Sequence, residues 1–230
     1  MKKGLGLLLI IPFLCSCSGA QISTDQALSM INEFETKLEQ KTSFSFYERK
    51  AVYETSTSRS VSLTQIFFED NFFHSYNIYQ DLKNVANSTA VEKWSFIKDK
   101  MIYDVTTEDA EDNPKGKSFH AYTFEKEVWE ERIKDAFEEV KKTNSLYLVR
   151  IKNEIKSKTD QTKIDLHSKN SGSLIHKIER YGNEGKVIRY KSYEFQDSLI
   201  YNVVDKDDYS VTTIDFRYKV STQEPNIPDF

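Results

Sequence analysis

The sequence predicts an α+β fold: one curved antiparallel sheet with two principal helices packed on its concave side. Two segments place apolar residues every three or four positions, as an amphipathic helix does, and long stretches elsewhere alternate apolar with polar residues, as half-buried strands do. Glycine and proline number only 7 and 4 while Phe and Tyr number 15 and 13, which excludes collagen-like or low-complexity chains and suits a strand-rich core. No repeat of fixed period is present, so residues 24–224 are expected to form a single domain.

The amino terminus comes before that domain. Lys2 and Lys3 precede an apolar run from Leu5 to Leu14, the layout of a signal peptide. The run is about ten residues, against the roughly 20 that span a bilayer core. Leu14-Cys15-Ser16-Cys17 resembles the bacterial lipobox, in which an aliphatic residue three before and a small residue one before precede the modified cysteine. The resemblance implies removal of residues 1–16 and lipidation of Cys17, whose palmitate-type acyl chains would hold the protein at a membrane. Each buried methylene contributes about 0.8 kcal/mol, so two or three chains anchor stably where one is marginal. The expected place is the extracytoplasmic side of a cell membrane, at the cell surface or in a periplasm.

Cleavage would leave 214 of the 230 residues, with 30 basic against 36 acidic side chains and a net charge of −6. Such a surface lacks the basic stripe of a nucleic-acid binder and the polybasic clamp of a membrane-surface protein. Cys15 departs with the signal peptide and Cys17 is acylated, so no disulfide, thiolate metal site or cysteine nucleophile is expected.

Residues 17–23 are expected to form a tether, of which about six residues span at most ~20 Å and keep the body close to the bilayer. The first helix covers residues 24–40: Ser23-Thr24-Asp25-Gln26 reads as a capping box ahead of Leu28, Ile31, Phe34 and Leu38. From Phe44 to Val105 the period becomes two. Val61, Leu63 and Phe67 alternate with Ser62 and Thr64, and Phe72, Tyr76 and Ile78 share a face. Trp94 and Phe96, then Met101, Tyr103 and Val105, predict a hairpin turning at Lys98-Asp99-Lys100.

Glu108 to Lys117 is acidic and contains Pro114 and Gly116, which predicts an exposed loop between two halves. A second helix is expected over residues 124–142, with Thr123 as cap, Glu125 and Glu127 early, Trp129, Ile133, Phe137 and Val140 on one stripe, and Lys141 and Lys142 last. Beyond Asn144, alternation at Tyr147, Val149 and Ile151 predicts a return to strands. These continue through Ile164 and Leu166, Leu174 and Ile178, then Val187–Phe195, Leu199–Val204 and Val211–Tyr218, with Gly182-Asn183-Glu184-Gly185 the clearest turn. Residues 225–230, with Pro225 and Pro228, predict an extended tail.

This order of elements resembles the LolA-like superfamily of bacterial lipoproteins and lipoprotein carriers, which build a half-open β-barrel over helices. The resemblance is carried by the strand pair from Trp94-Ser95-Phe96 to Tyr103-Asp104-Val105, the turn before Lys186 and the last strand leading to Ile227-Pro228, and spans most of residues 24–228. It implies a space between sheet and helices that holds an acyl chain or other apolar ligand. No binding residue of the family matches a position here.

The search for chemistry returns little. His74, His120, His167 and His176 lie in separate segments without ligand spacing such as H-E-x-x-H. His74 shares an apolar face with Phe72 and Tyr76, and His176 with Leu174 and Ile178. Hydrogen-bonded structural histidines are the plainer reading, and His74, Tyr76 and His176 are the candidate pocket lining. Glu108, Asp109, Glu111 and Asp112 read as a solvated loop. Asp205, Asp207 and Asp208 begin like a calcium loop, but Ser210 and Phe216 stand where its glycine and glutamate belong. No G-x-S-x-G, P-loop or dinucleotide fingerprint is present. No catalytic residue, metal or cofactor is assigned and an enzyme is not expected. The expected function is a non-catalytic binding module for an apolar or lipid-like ligand. The alternative is a surface adhesion or assembly protein that uses an outer sheet face and shows an exposed aromatic patch.

Overall fold

The computed structural model describes residues 19–69, 72–83, 89–110 and 113–219. The signal peptide expected over residues 1–16, the expected lipidation at Cys17 and the tail expected over residues 225–230 lie outside the described residues. Among the described residues twelve strands and two helices follow one another as β1 Ala20–Gln21, α1 Thr24–Glu39, β2 Phe46–Thr55, β3 Ser58–Phe67, β4 Phe72–Asp81, β5 Thr89–Lys98, β6 Met101–Ala110, β7 Asn113–Thr123, α2 Lys126–Lys156, β8 Thr162–Ser168, β9 Ser173–Tyr181, β10 Val187–Gln196, β11 Leu199–Asp207 and β12 Ser210–Arg217. The strands form one open, curved antiparallel sheet in the order β1-β8-β9-β10-β11-β12-β2-β3-β4-β5-β6-β7. The two meanders therefore meet where β12 pairs with β2, and both helices pack on one face.

α1 begins as its sequence dictates: Ser23 Oγ accepts from the Gln26 amide while the Gln26 side chain accepts from the Ser23 amide, so two orphan donors are satisfied reciprocally. Its stripe of Ala27, Ile31, Phe34 and Leu38 is buried. Part of the stretch expected as a tether is strand. Ala20 and Gln21 pair with Ser168 and His167, covering what would otherwise be the bare edge of β8. Gly19 permits this close approach, because a Cβ there would lie 2.5 Å from the Ser168 carbonyl oxygen.

α2 departs furthest from expectation. It runs on to Lys156 rather than ending near Lys142, and it absorbs Tyr147, Val149 and Ile151, which the alternation had placed in a strand. The buried set Val140, Asn144, Leu148, Ile151 and Ile155 repeats every three or four residues and is the helical stripe. Asn144 does not break the helix because its side chain is fully employed. Nδ2 donates to the Val140 carbonyl at 2.9 Å, and Oδ1 accepts from the Ile200 amide at 2.8 Å and the Tyr218 hydroxyl at 3.0 Å. The N-cap is Glu125, without a side-chain cap bond, rather than Thr123, which ends β7.

The turn at Asp99 and Lys100 has φ of 51° and 62°, the two-residue geometry that matches strand twist between β5 and β6. Much of the loop expected over Glu108–Lys117 is strand instead. Glu108 pairs with Gly116 and Ala110 with Asn113, past a register shift. Ladder hydrogen bonds do not require apolar side chains, and Pro114 is tolerated because β7 is the sheet edge.

The two halves of the sheet bury opposite faces. On β8–β12 and the start of β2 the residues facing the helices are apolar, including Leu166, Leu174, Tyr193, Phe195, Ile214, Phe216 and Tyr47, and they form the main core with α1 and α2. On β3–β6 the face on the helix side is mostly small and polar, as in the cross-strand row Arg49, Thr64, Ser75, Lys93 and Thr106. The aromatics there point the other way. Phe46, Phe67, Phe72, Phe96 and Tyr103 form a cross-strand row with successive ring centroids 4.8, 5.6, 6.4 and 5.3 Å apart.

Candidate functional site

α2 crosses from one half of the sheet to the other, and a cleft opens where the apolar face is withdrawn from beneath it. Its volume is about 490 Å³, within the range of small-molecule sites. Ala136, Glu139, Val140, Thr143, Leu146, Tyr147 and Arg150 of α2 form one wall, and Tyr47, Arg49, Thr64 and Ile66 of β2 and β3 form the other. The helical residues recur every three or four positions and so share a face. The strand residues alternate and so share the helix side of the sheet.

A second hollow of about 360 Å³ shares Thr64 and Ile66 with the first and continues over β3–β6. By alternation its floor presents Ser75, Lys93, Ser95, Asp104 and Thr106, with Phe73 beside Ile66. A third of about 300 Å³ lies further along the same face, over Ala51, Ser62, Asn77 and Val91. The result is a trough along the helix side of the sheet, apolar beneath α2 and hydroxyl-lined beyond it.

The start of α2 is pinned across the trough at two points. Trp129 is buried and meets Phe73 edge-on at 5.6 Å. Arg132 Nη1 and Nη2 donate to Asp104 Oδ1 and Oδ2 at 3.2 and 3.3 Å, and Nη2 also donates to the Tyr122 hydroxyl. Ser95 and Tyr122 hydroxyls donate to the same carboxylate at 2.5 and 2.8 Å. Burial pushes the Asp104 carboxyl up, but the hydrogen bonds from Arg132, Ser95 and Tyr122 outweigh it and hold it below the usual carboxylate range.

The cleft is electropositive in an acidic molecule. Arg49 and Arg150 line it together with a single carboxylate, Glu139, which lies 3.9 Å from Lys142. Among the described residues neither arginine forms an ion pair. The Arg150 guanidinium lies 5.5 Å over the Tyr147 ring. Burial pushes the Tyr47 phenol up to about 12 and also raises Tyr147, so both present neutral O–H groups.

The structure does not bring His74, Tyr76 and His176 together. His74 and Tyr76 lie on β4 and His176 on β9, with five strands between. His74 turns away from the helices, its two ring nitrogens 2.9 Å from Gln65 Oε1 and 2.7 Å from Glu92 Oε1, its ring stacked on Trp94. Tyr76, two residues on, shares that face. His176 is wholly buried beneath α2, 3.7 Å from Glu154 Oε2, and among the described residues its ring nitrogens have no hydrogen-bond partner. His74 is thus hydrogen-bonded at both ring nitrogens and lies beside the second hollow, whereas His176 is hydrogen-bonded at neither among the described residues. Burial, with Lys191 nearby, lowers the His176 pKa to about 4.

Asp207 caps its own turn, accepting from the Tyr209 and Ser210 amides. Among the described residues no group of three metal-ligating side chains occurs, and no helix is long and apolar enough to cross a membrane. The cleft residues escaped the sequence reading because the stretch past Asn144 was read with period two. Read with period 3.6, Thr143, Tyr147 and Arg150 fall on the stripe of Ala136 and Val140.

The sequence matches no protein-family model and no curated protein. Solved structures similar to it include LprF from Mycobacterium bovis, 9% identical, covering 90% of this chain and 99% of that one with a TM-score of 0.36. A domain assigned to outer-membrane lipoprotein sorting in Vibrio parahaemolyticus is 11% identical and covers 89% of this chain and 96% of that one, with a TM-score of 0.25.

Proposed function

We propose that this protein is a lipoprotein anchored through Cys17 on the extracytoplasmic side of a membrane, where it acts as a non-catalytic binding module for an apolar, lipid-like ligand. The observation that carries the reading is the cleft of about 490 Å³ under α2, whose deeper wall is Tyr47, Ile66, Ala136 and Val140. Water in such a space makes few hydrogen bonds, so displacing it with hydrocarbon is favourable, by about 25 cal/mol per Å² of apolar surface buried. The continuation of the cleft into a trough suits an elongated guest. The adhesion alternative calls for an exposed aromatic patch on the outer sheet face; the aromatic row there, Phe46, Phe67, Phe72 and Phe96, is 2–6% exposed, and the exposed Tyr53 and Tyr79 line the third hollow of the trough instead.

Native mass spectrometry with lipid extraction tests this on the full-length chain expressed in a bacterial host and taken up in mild detergent. The expected result is a stoichiometric acyl-containing adduct in addition to the lipid attached at Cys17. A mass equal to protein plus anchor alone, unchanged by added fatty acids or phospholipids, sinks the binding-module reading.

A further inference from the structure

We infer that the cleft selects amphiphiles whose head is an oxyanion, a carboxylate or a phosphate, with the head held between Arg49 and Arg150 and the chain running under α2. This deepens the binding-module reading and rests on it. The chain carries a formal net charge of −4, yet the cleft wall holds two guanidinium groups against one carboxylate. The cations come from different elements, Arg49 from β2 and Arg150 from α2, so folding brings them to one site. Both act electrostatically on the same phenol, Tyr147.

Their partners are the second observation. The arginines Arg132, Arg189 and Arg217 each meet a carboxylate within the fold, Asp104, Asp205 and Glu48 respectively. Among the described residues Arg49, Arg59, Arg150 and Arg180 meet none; of these Arg59, Arg150 and Arg180 are exposed, Arg49 alone is half-buried, and only Arg49 and Arg150 line the cleft. A guanidinium fork beside an apolar cleft is matched by a planar or tetrahedral oxyanion, which it binds bidentately. The Tyr47 and Tyr147 hydroxyls line the same space and remain protonated at neutral pH, so they add donors rather than repelling charge. Lys93, in the same cross-strand row as Arg49, extends the positive potential along the trough. Low-dielectric walls lined by one sign of charge concentrate the field on an incoming anion.

The test measures equilibrium binding of palmitic acid, hexadecanol and inorganic phosphate to the full-length protein in mild detergent. The acid is expected to bind at least tenfold more tightly than the alcohol, and phosphate alone to compete only weakly. Raising the salt concentration should weaken the acid and leave the alcohol nearly unchanged, since charge pairing is screened and apolar burial is not. The double variant Arg49→Gln/Arg150→Gln should bring the acid-to-alcohol ratio close to one. Arg49→Lys/Arg150→Lys should keep most of it, and Lys186→Gln, on an exposed turn, should keep all of it. A ratio near one in the unaltered protein overturns the inference while leaving the cleft reading standing. Phosphate competing as well as palmitate overturns it in favour of a bare-anion site. Absence of binding by either long-chain compound overturns both readings. Should the glutamine variant fail to fold, the salt dependence of the unaltered protein decides alone.

Discussion

On β8–β12 the apolar side chains face the helices, and on β3–β6 the aromatic row faces away, Ile66 and Phe73 being the apolar residues left on the helix side near the junction. One helix, α2, lies over both halves, and its two ends live in different surroundings as a result. From Asn144 to Ile155 one face of it, Asn144, Leu148, Ile151 and Ile155, is buried in the core with Tyr193, Phe195, Ile200 and Phe216, while Leu146, Tyr147 and Arg150 turn to the cleft. From Lys126 to Glu139 it stands largely over serines, threonines and charged residues, touching down at Trp129, Arg132 and Phe137, the last against Phe44 at 5.3 Å. The comparison teaches how ligand space arises in this fold. No cavity is carved out of a core. The sheet turns its apolar residues to the other side, and a helix bridging the vacated face leaves a trough.

The comparison is broken most directly with two leucines two residues apart on α2. Leu148 is wholly buried at the closed end, and Leu146 is 60% exposed at the cleft. Leu148→Ala is expected to cost about 4 kcal/mol, since it loses a buried side chain and leaves a void that dense packing cannot refill. Leu146→Ala should change stability by no more than about 0.5 kcal/mol. Urea unfolding of both variants checks this, and equal losses would mean that the packed and cleft-facing sides of α2 do not differ as described.

Asn144 marks the boundary between them. Asn144→Leu removes the acceptor for the Ile200 amide and the Tyr218 hydroxyl, leaving two buried donors unsatisfied, at a cost of about 3 kcal/mol. Tyr218→Phe in the same background should then restore part of the loss, because it removes one stranded donor. A double-mutant cycle with no coupling between the two sites would contradict the network.

His176 sharpens the closed half through pH. It is neutral in the fold, with a pKa lowered to about 4 from 6.5, so between those values the unfolded chain binds a proton that the folded one does not. Its contribution is therefore fully present above about pH 6.5 and is lost as pH falls toward 4, by on the order of 3 kcal/mol at most. Glu154 on α2, Lys191 on β10 and Asp205 on β11 are the charged neighbours of that site. His176→Leu should flatten the stability profile in this window and leave the loss below pH 4, where Asp104 and Asp207 protonate, in place. An unchanged slope between pH 4 and 6.5 in the variant would assign the dependence elsewhere.

Much of the frame was legible in the chain. The capping box at Ser23 and Gln26, the hairpin at Asp99-Lys100 and the alternation of β8–β12 are local signals, decided by neighbours within four residues. What was not legible depends on distant parts of the chain. Alternation at Val61, Leu63 and Phe67 announces a strand with one apolar face, but which face meets the helices is fixed by where β2 joins β12, and no local pattern records that. The helix was expected to end near Lys142 because Tyr147, Val149 and Ile151 alternate, and only Ile200 and Tyr218, far along the chain, explain the place of Asn144 in the interior. The cleft residues were hidden for the same reason, since Arg49 and Arg150 are about a hundred positions apart and belong to elements whose contact follows from the topology.

The smallest expected effect probes the open half. Arg132 and Asp104 are each 36% exposed, so their ion pair is screened and contributes about 1 kcal/mol or less to global stability. Its role is local: with Trp129 it holds the first turns of α2 across a face that offers little apolar contact. Arg132→Ala should therefore leave the unfolding midpoint nearly unchanged while hydrogen exchange speeds up over residues 126–139 and stays slow over residues 144–155, where packing rather than the ion pair protects the amides. Arg132→Lys should give an intermediate rate, keeping the charge and losing the paired donors. Faster exchange spread evenly along the helix would show that α2 opens as one unit, and the division of the molecule into a packed half and a bridged half would fail with it.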